Sequence, residues 1–250
     1  MLSLVVIAMN EADRLGRCLD SVPMATEKLV VDSGSTDATR AVARAHGARW
    51  IRADWPGHVA QKNRALRLAR QPWVLSLDAD EWLEASAQQA IHSVLASPPP
   101  DVSGCRLARC NRWMGRPIRH GRWYPDRKVR LVRRGAARWV GHDPHDQLEV
   151  QGRVVDLTGD IGHVPYRSFA EHLGTIDRYT ATSARTLHAA GVRARRPDPA
   201  VRASLRFVDA YLLRRGFLDG PHGLALAALG AGYTALKWRR LWQLQASTSR

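Results

Sequence analysis

The chain has 250 residues, 45% of them hydrophobic, enough to bury a full core in one domain with an elaborated C-terminal part. Its three cysteines, Cys18, Cys105 and Cys110, are too few and too unevenly spaced for a disulfide framework or a zinc site, so a reducing cytoplasm is expected. The net charge of +15 is unevenly held: residues 101–250 carry 27 of the 38 Lys+Arg but only 12 of the 23 Asp+Glu, which points to an anionic partner.

Apolar runs at 2–8, 28–32, 48–52 and 73–78 read as strands, alternating with helical patterns at 12–21, 38–46 and 58–69. That alternation predicts an α/β fold with a mainly parallel sheet and flanking helices. The first run lacks a basic leader and a cleavage site, so it reads as a strand and not as a signal peptide. Gly47 is placed to end the second helix, and a helix over 85–96 should stop at Pro98-Pro99-Pro100, the best candidate boundary. Strands follow at 102–109, 128–133 and 147–157, then helices at 169–190 and 201–215 separated by a basic, proline-broken loop over 193–199. The apolar stretch 224–236, followed by Lys237-Trp238-Arg239-Arg240-Leu241-Trp242, suits a helix lying in a membrane interface, with Arg214 and Arg215 adding headgroup contacts. No run reaches the roughly 18 to 20 apolar residues that span a bilayer.

Two of the strands deliver carboxylates to their C-terminal ends, where an open α/β sheet places its ligand crevice. In Asp32-Ser33-Gly34-Ser35-Thr36-Asp37 the small polar residues can cap the next helix, but Asp32 is expected to stand free at the sheet edge, able to accept from a nucleobase or ribose. In Asp78-Ala79-Asp80 both carboxylates should face the crevice mouth, where a divalent cation bridging them to a diphosphate would offset their desolvation. Isolated, such an Asp-X-Asp reads first as a strand-ending Asp that caps the following helix.

Four pieces stand in order: Val5-Val6-Ile7-Ala8-Met9-Asn10-Glu11, Val30 to Asp37, Gln61-Lys62-Asn63-Arg64-Ala65-Leu66 and Leu77-Asp78-Ala79-Asp80-Glu81. Together they resemble the nucleotide-sugar half of an inverting family 2 glycosyltransferase with the GT-A fold. Farther along, the run from Trp123 to Leu131, Pro144-His145-Asp146 and Gly216-Phe217-Leu218-Asp219-Gly220 resemble the subgroup that adds glucose to the lipopolysaccharide inner core.

The resemblance implies a GT-A catalytic domain over 1–165, with a nucleotide-sugar half (1–97) and an acceptor half (101–165), and a helical C-terminal extension over 166–250. It further implies Asp32 on the nucleobase, Asp78 on the ribose or diphosphate, Asp80 on a Mg2+ or Mn2+ ion, and Lys62 and Asn63 near the diphosphate or sugar. Asn10, Glu11, Ser33 and Asp37 complete the donor set. Asp146 is the expected base, with Asp143 the alternative; the family pattern has His-Glu where this chain has His145-Asp146, one methylene shorter in reach. His142 or His145 could instead ligate the metal; His163, after Ile161-Gly162, resembles a position near the donor but reads first as a satisfied loop histidine. The donor implied is UDP-glucose and the acceptor an anionic glycolipid gripped by arginines among Arg119, Arg122, Arg127, Lys128 and Arg130. The protein would then work peripherally on the cytoplasmic face of the inner membrane, without nucleic acid.

Two other readings compete. A sugar-phosphate nucleotidyltransferase would also join an α/β sheet to acidic metal ligands, but the segment after the first strand is acidic where a basic phosphate loop is wanted. A nucleic-acid-binding module would use the eleven Lys+Arg between Arg106 and Arg134, with Trp113, Trp123, Tyr124 and Trp139 to stack bases.

Overall fold

The computed structural model describes residues 1–141 and 146–248. Strand β1 (Leu2–Ala8) sends Leu2, Leu4, Val6 and Ala8 into one core and Val5 and Ile7 into the other, the two-sided burial of a central parallel strand. Strands β2 (Glu27–Asp32) and β4 (Trp73–Asp78) flank it in parallel, and β3 (Arg49–Arg52) extends β2. In this register Ala8 lies opposite Asp32 and Ile7 opposite Asp78. Both carboxylates therefore end at one edge of the sheet, as the sequence led us to expect.

Beyond β4 the sheet turns antiparallel, through β5 (Glu81–Leu83), β6 (Val102–Trp113), β8 (Asp126–Arg133) and β11 (Arg153–His163), in the order β3-β2-β1-β4-β8-β6-β11-β5. The sheet is thus mixed, its parallel pairing confined to the first four strands; from β6 to β11 the strands follow one another with no helix between them, as antiparallel return allows. The single strand expected over 147–157 is two: Gly152, at φ 114°, turns the chain between β10 (Gln147–Val150) and β11, and β10 pairs with β9 (Ala137–Val140).

Helices α1 (Leu15–Asp20), α2 (Thr39–Ala45) and α4 (Ala85–Ala96) cover one face over Leu19, Leu75, Leu107 and Ile161. Helix α3 (His58–Leu68) and the β9–β10 hairpin cover the other, over Val31, Val74 and Val132. Each such fully buried side chain contributes about 1.5–3 kcal/mol. Gly47 ends α2 at φ 73°, as anticipated.

Two compact units result: Met1–Cys110 with Asp126–His163, and Asn111–Pro125 with Val164–Arg250. The proline run is no boundary, since Arg133 ties it to the first unit by donating to the Pro99 and Val102 carbonyls at 2.8 and 2.7 Å. Residues 111–125, placed by the sequence with the catalytic part, belong to the helical unit. There Trp113 Nε1 donates to His172 Nδ1 at 3.1 Å, and Asp219 accepts from the Arg119 and His120 amides. The Gly216–Gly220 motif is accordingly a tight turn built around Asp219, with β7 (Arg116–Pro117) hairpinned on the end of β6.

The helical unit holds α5 (Phe169–Ala189), α6 (Asp198–Val208), a π-helical turn (Asp209–Leu213) and α7 (Gly220–Thr248). Ser168 caps α5 by accepting from the Glu171 amide at 3.1 Å. Helix α7 swallows the whole stretch read as an interfacial helix and packs against α5 and α6, with Leu241 fully buried and Trp238 under the Arg202 guanidinium at 3.9 Å. Among the described residues, no helix is long and apolar enough to cross a membrane.

Candidate active site

Lys62 occupies the inward face of α3, beside Ala65, and is 6% exposed. A buried ammonium needs compensation, and it has two carboxylates: Asp78 Oδ1 at 2.9 Å and Asp146 Oδ2 at 2.7 Å. Asp78 in turn meets Arg130 Nη2 at 2.9 Å, and the same nitrogen donates to the fully buried Glu81 at 2.6 Å. Glu81 also meets Arg109 at 3.2 Å, Arg109 meets Asp126 at 2.7 Å, and Asp126 meets Lys128 at 3.1 Å. The result is one chain of alternating charge, from Asp146 through Lys62, Asp78, Arg130, Glu81, Arg109 and Asp126 to Lys128.

Burial opposes ionisation of Asp78, yet Lys62 and Arg130 outweigh it and hold the carboxyl far below its ordinary range. Burial likewise opposes charge on Lys62 and Arg130, and the facing carboxylates more than reverse it, so both are raised and stay cationic. The chain borders a cavity of about 320 Å³, also lined by Arg106, Arg127 and Trp139. The Trp139 ring lies 4.3 Å from the Lys62 ammonium. Arg130 Nε and Trp139 Nε1 are buried on this wall with no acceptor among the described residues, a standing cost that a ligand oxygen could relieve after a small side-chain shift.

Asp32 does not stand free. It is 1% exposed; Oδ1 accepts from the Gly34 and Ser35 amides at 2.9 and 2.7 Å, and Oδ2 from Trp50 Nε1 at 2.9 Å. A carboxylate closing a buried strand takes the nearest donors, here its own turn, where Gly34 sits at φ 99°. Its remaining lone pairs are what a nucleobase could use.

The other donor-set residues stitch two loops together. The Asn10 amide donates to Ser35 Oγ at 2.9 Å and Asn10 Oδ1 accepts from the Thr36 amide at 2.9 Å, with Asn10 in the left-handed region at φ 58°. The Glu11 amide donates to Thr39 Oγ1 at 2.8 Å, and its side chain pairs with Arg14. Asp37 accepts from the Ala12 and Thr39 amides at 3.1 and 2.9 Å. Ser33 Oγ accepts from Gln61 at 3.0 Å. Asn63 exchanges two hydrogen bonds of 2.9 Å with the Trp139 backbone, so it fixes β9 to α3.

Asp80 lies apart from the charge chain, with His163 Nε2 at 3.3 Å and Arg14 Nη1 at 3.5 Å from Oδ2. A carboxylate oxygen and an imidazole nitrogen at that separation suit a divalent cation that keeps waters and phosphate oxygens as its other ligands. Among the described residues no three His, Cys, Asp or Glu side chains converge on a metal position. Asp143, His142 and His145 lie outside the described residues.

Sequence reasoning gave Glu81 and Arg109 no role of their own and offered Trp139 only as a base-stacking residue. The basic run 106–134 is not one patch: Arg109 and Arg130 are spent in the charge chain, Arg106 on Asp156 at 2.8 Å, and Arg122 on Asp209 in the helical unit. Its strand periodicity was the available signal. Asp126, Lys128 and Arg130 alternate along β8, and β6 brings Arg109 opposite Asp126.

The profile of glycosyl transferase family 2 matches residues 3–147. The lipopolysaccharide core biosynthesis glycosyltransferase LpsC of Rhizobium meliloti (strain 1021) is 28% identical over 256 residues, spanning 100% of this chain and 94% of that protein. An uncharacterized glycosyltransferase of Rickettsia typhi (strain Wilmington) is 27% identical over 97% of this chain and 87% of its own length. In fold, a mannosyltransferase of Pyrobaculum calidifontis, solved with GDP-Man and Mn2+, matches at TM-score 0.53 and 18% identity, over 97% of this chain and 87% of that one.

Proposed function

This chain belongs to glycosyl transferase family 2, with the GT-A fold, and we propose that it is an inverting, cation-assisted hexosyltransferase that takes glucose from UDP-glucose to an anionic glycolipid of the lipopolysaccharide inner core. The observation that carries the reading is Lys62 held between Asp78 and Asp146 on the cavity floor. A diphosphate entering there competes with the two carboxylates for one ammonium, and each contact it takes from Asp146 frees an oxygen of that carboxylate to accept a hydroxyl proton.

Asp146 then serves as the base. It removes the proton of the acceptor hydroxyl while that oxygen attacks the anomeric carbon; the new C–O bond forms as the bond to the diphosphate breaks, and the configuration inverts in one displacement. Asp80 and His163 would hold a Mg2+ or Mn2+ ion, which supplies charge neutralisation for the departing diphosphate. Asp32, held rigid by three donors, offers the uracil a fixed acceptor.

The inner-core acceptor is supported by the full-length similarity to LpsC, and its anionic character by Arg127 and Lys128 on the cavity wall. Peripheral work at the cytoplasmic face of the inner membrane is supported by a surface other than the one the sequence suggested. On α6 and the π-helical turn, Val201, Leu205, Val208 and Leu212 form one exposed apolar stripe beside Arg202, Arg214 and Arg215.

A thermal-shift panel of UDP-, GDP- and ADP-sugars with and without Mn2+ tests the donor and the metal together. Selective stabilisation by UDP-glucose with Mn2+ is expected, and Asp80→Ala should remove the metal dependence. Asp146→Asn should abolish turnover and keep donor binding; an active Asp146→Asn beside an inactive Asp143→Asn would transfer the role of base to Asp143.

A further inference from the structure

The helical unit carries a cavity of its own, of about 220 Å³, a volume on the scale of one monosaccharide and below the roughly 300 Å³ of drug-sized sites. One wall is aromatic. Tyr166 stacks on His172 with centroids 4.1 Å apart and planes at 12°, and Trp123 lies against both at 6.3 and 5.8 Å. Tyr179 and Tyr233 add phenols to the lining, and Tyr233 exchanges a hydrogen bond of 3.1 Å with Ser183.

His172 is oriented and neutral. Trp113 Nε1 donates to its Nδ1, which places the ring proton on Nε2, and burial lowers its pKa below the ordinary 6.5. That N–H finds no acceptor among the described residues.

The opposite feature is a cation. Arg206, half-buried on the inner side of α6, lines this cavity and a smaller neighbouring one of about 40 Å³. No carboxylate forms an ion pair with it among the described residues. Burial depresses its pKa first, and Arg122 and then Arg214 depress it further, more than Asp209 offsets. Lys237 is depressed in the same way, by burial and then by Arg206 and Arg202. Several cations are therefore packed together with Asp209 and Asp198 already divided among Arg122, Arg214 and Arg202. A protein that keeps a guanidinium in so unfavourable a field gains from an anion placed beside it.

We propose that this cavity binds a pyranose ring bearing an acidic group, with the ring against the Trp123–Tyr166–His172 wall and the carboxylate or phosphate on Arg206. Flat aromatic faces suit the C–H face of a sugar ring, the phenols and His172 Nε2–H suit its hydroxyls, and a guanidinium fork suits either acid. That the ligand is part of the glycolipid acceptor rests on the function proposed above; the site itself does not.

Calorimetric titration of the full chain with glucuronate, glucose 6-phosphate, glucose and inorganic phosphate tests it. The two acidic sugars should bind at least tenfold more tightly than glucose and than phosphate, because only they use both walls. Arg206→Gln should erase the advantage over glucose and leave UDP binding unchanged, and Arg206→Lys should restore part of it. Acidic sugars no tighter than glucose or phosphate, or an advantage that survives Arg206→Gln, would overturn the site. A deacylated core oligosaccharide that outbinds both monosaccharides supports the acceptor assignment; one that binds no better overturns that assignment alone. Loss of UDP binding by the unaltered protein would count against the proposed function and not against this cavity.

Discussion

At Lys62 one ammonium compensates two carboxylates, so its removal should reveal the cost of both. Among the described residues, Lys62→Met leaves Asp78 with Arg130 as its one direct ion pair and Asp146 with no direct ion pair, only the more distant charge of Arg130. Breaking a buried pair from one side costs about 3–5 kcal/mol, and urea unfolding should show a loss of that order. Asp78→Asn in the same chain should recover part of it, since the second change removes a charge the first one stranded; strict additivity of the two losses would show that the residues do not share a network. Catalysis should respond differently. The double variant should regain stability but not turnover, because the ammonium proposed to receive the diphosphate is still missing.

At the scale of elements, α6 has apolar residues on two opposite sides. Ala203, Phe207 and Ala210 turn inward, while Val201, Leu205, Val208 and Leu212 repeat at helical spacing on the exposed side, Leu205 at 64%. Replacing Leu205 and Leu212 together by Asp should lower partitioning onto vesicles containing anionic phospholipid at least tenfold without changing the melting temperature; unchanged partitioning would remove α6 from the membrane reading. The sequence pointed instead to the stretch 224–242, because composition shows that a helix is apolar but not which neighbour consumes its face, and α7 spends that face on α5 and α6. Strands β1, β2 and β4 were legible for the opposite reason: parallel strands buried on both sides carry continuous apolar runs, and the carboxylates that close β2 and β4 stand out. Asp78 and Lys62 were visible through resemblance, and their contact needed the fold, which brings α3 to the end of β4. Glu81 stood inside the 77–81 piece and was given no role, because the sequence does not show what would face it. Its role comes from Arg109 and Arg130, which later strands bring to it.

Across the whole molecule, titration and net charge act in one direction. Asp78 and Asp126, ordinarily near 3.8, and Glu27, ordinarily near 4.5, all ionise more readily in the fold: burial opposes each, and Lys62 and Arg130, Arg109 and Lys128, and the Ser3 hydroxyl with the Arg70 amide outweigh it in turn. Below the ordinary carboxylate range the unfolded chain binds protons that the folded chain refuses, so the stability these groups contribute is complete at neutral pH and drains as pH falls through their depressed values. His172 works in the same sense at higher pH, since burial lowers it below 6.5 and the unfolded imidazole takes up its proton first. A chain already at +15 gains further positive charge throughout this descent, which adds repulsion to the broken pairs. Melting temperatures should therefore be flat from about pH 8 to 7, decline gently below about 6.5 and fall steeply below about 4.5. In Lys62→Met the acid limb should be shallower, because Asp78 loses the first of the cations that depress it and has less stability left to surrender. Melting temperatures that rise on acidification, or an acid limb in Lys62→Met as steep as that of the unaltered chain, would contradict the charge chain as the source of the effect.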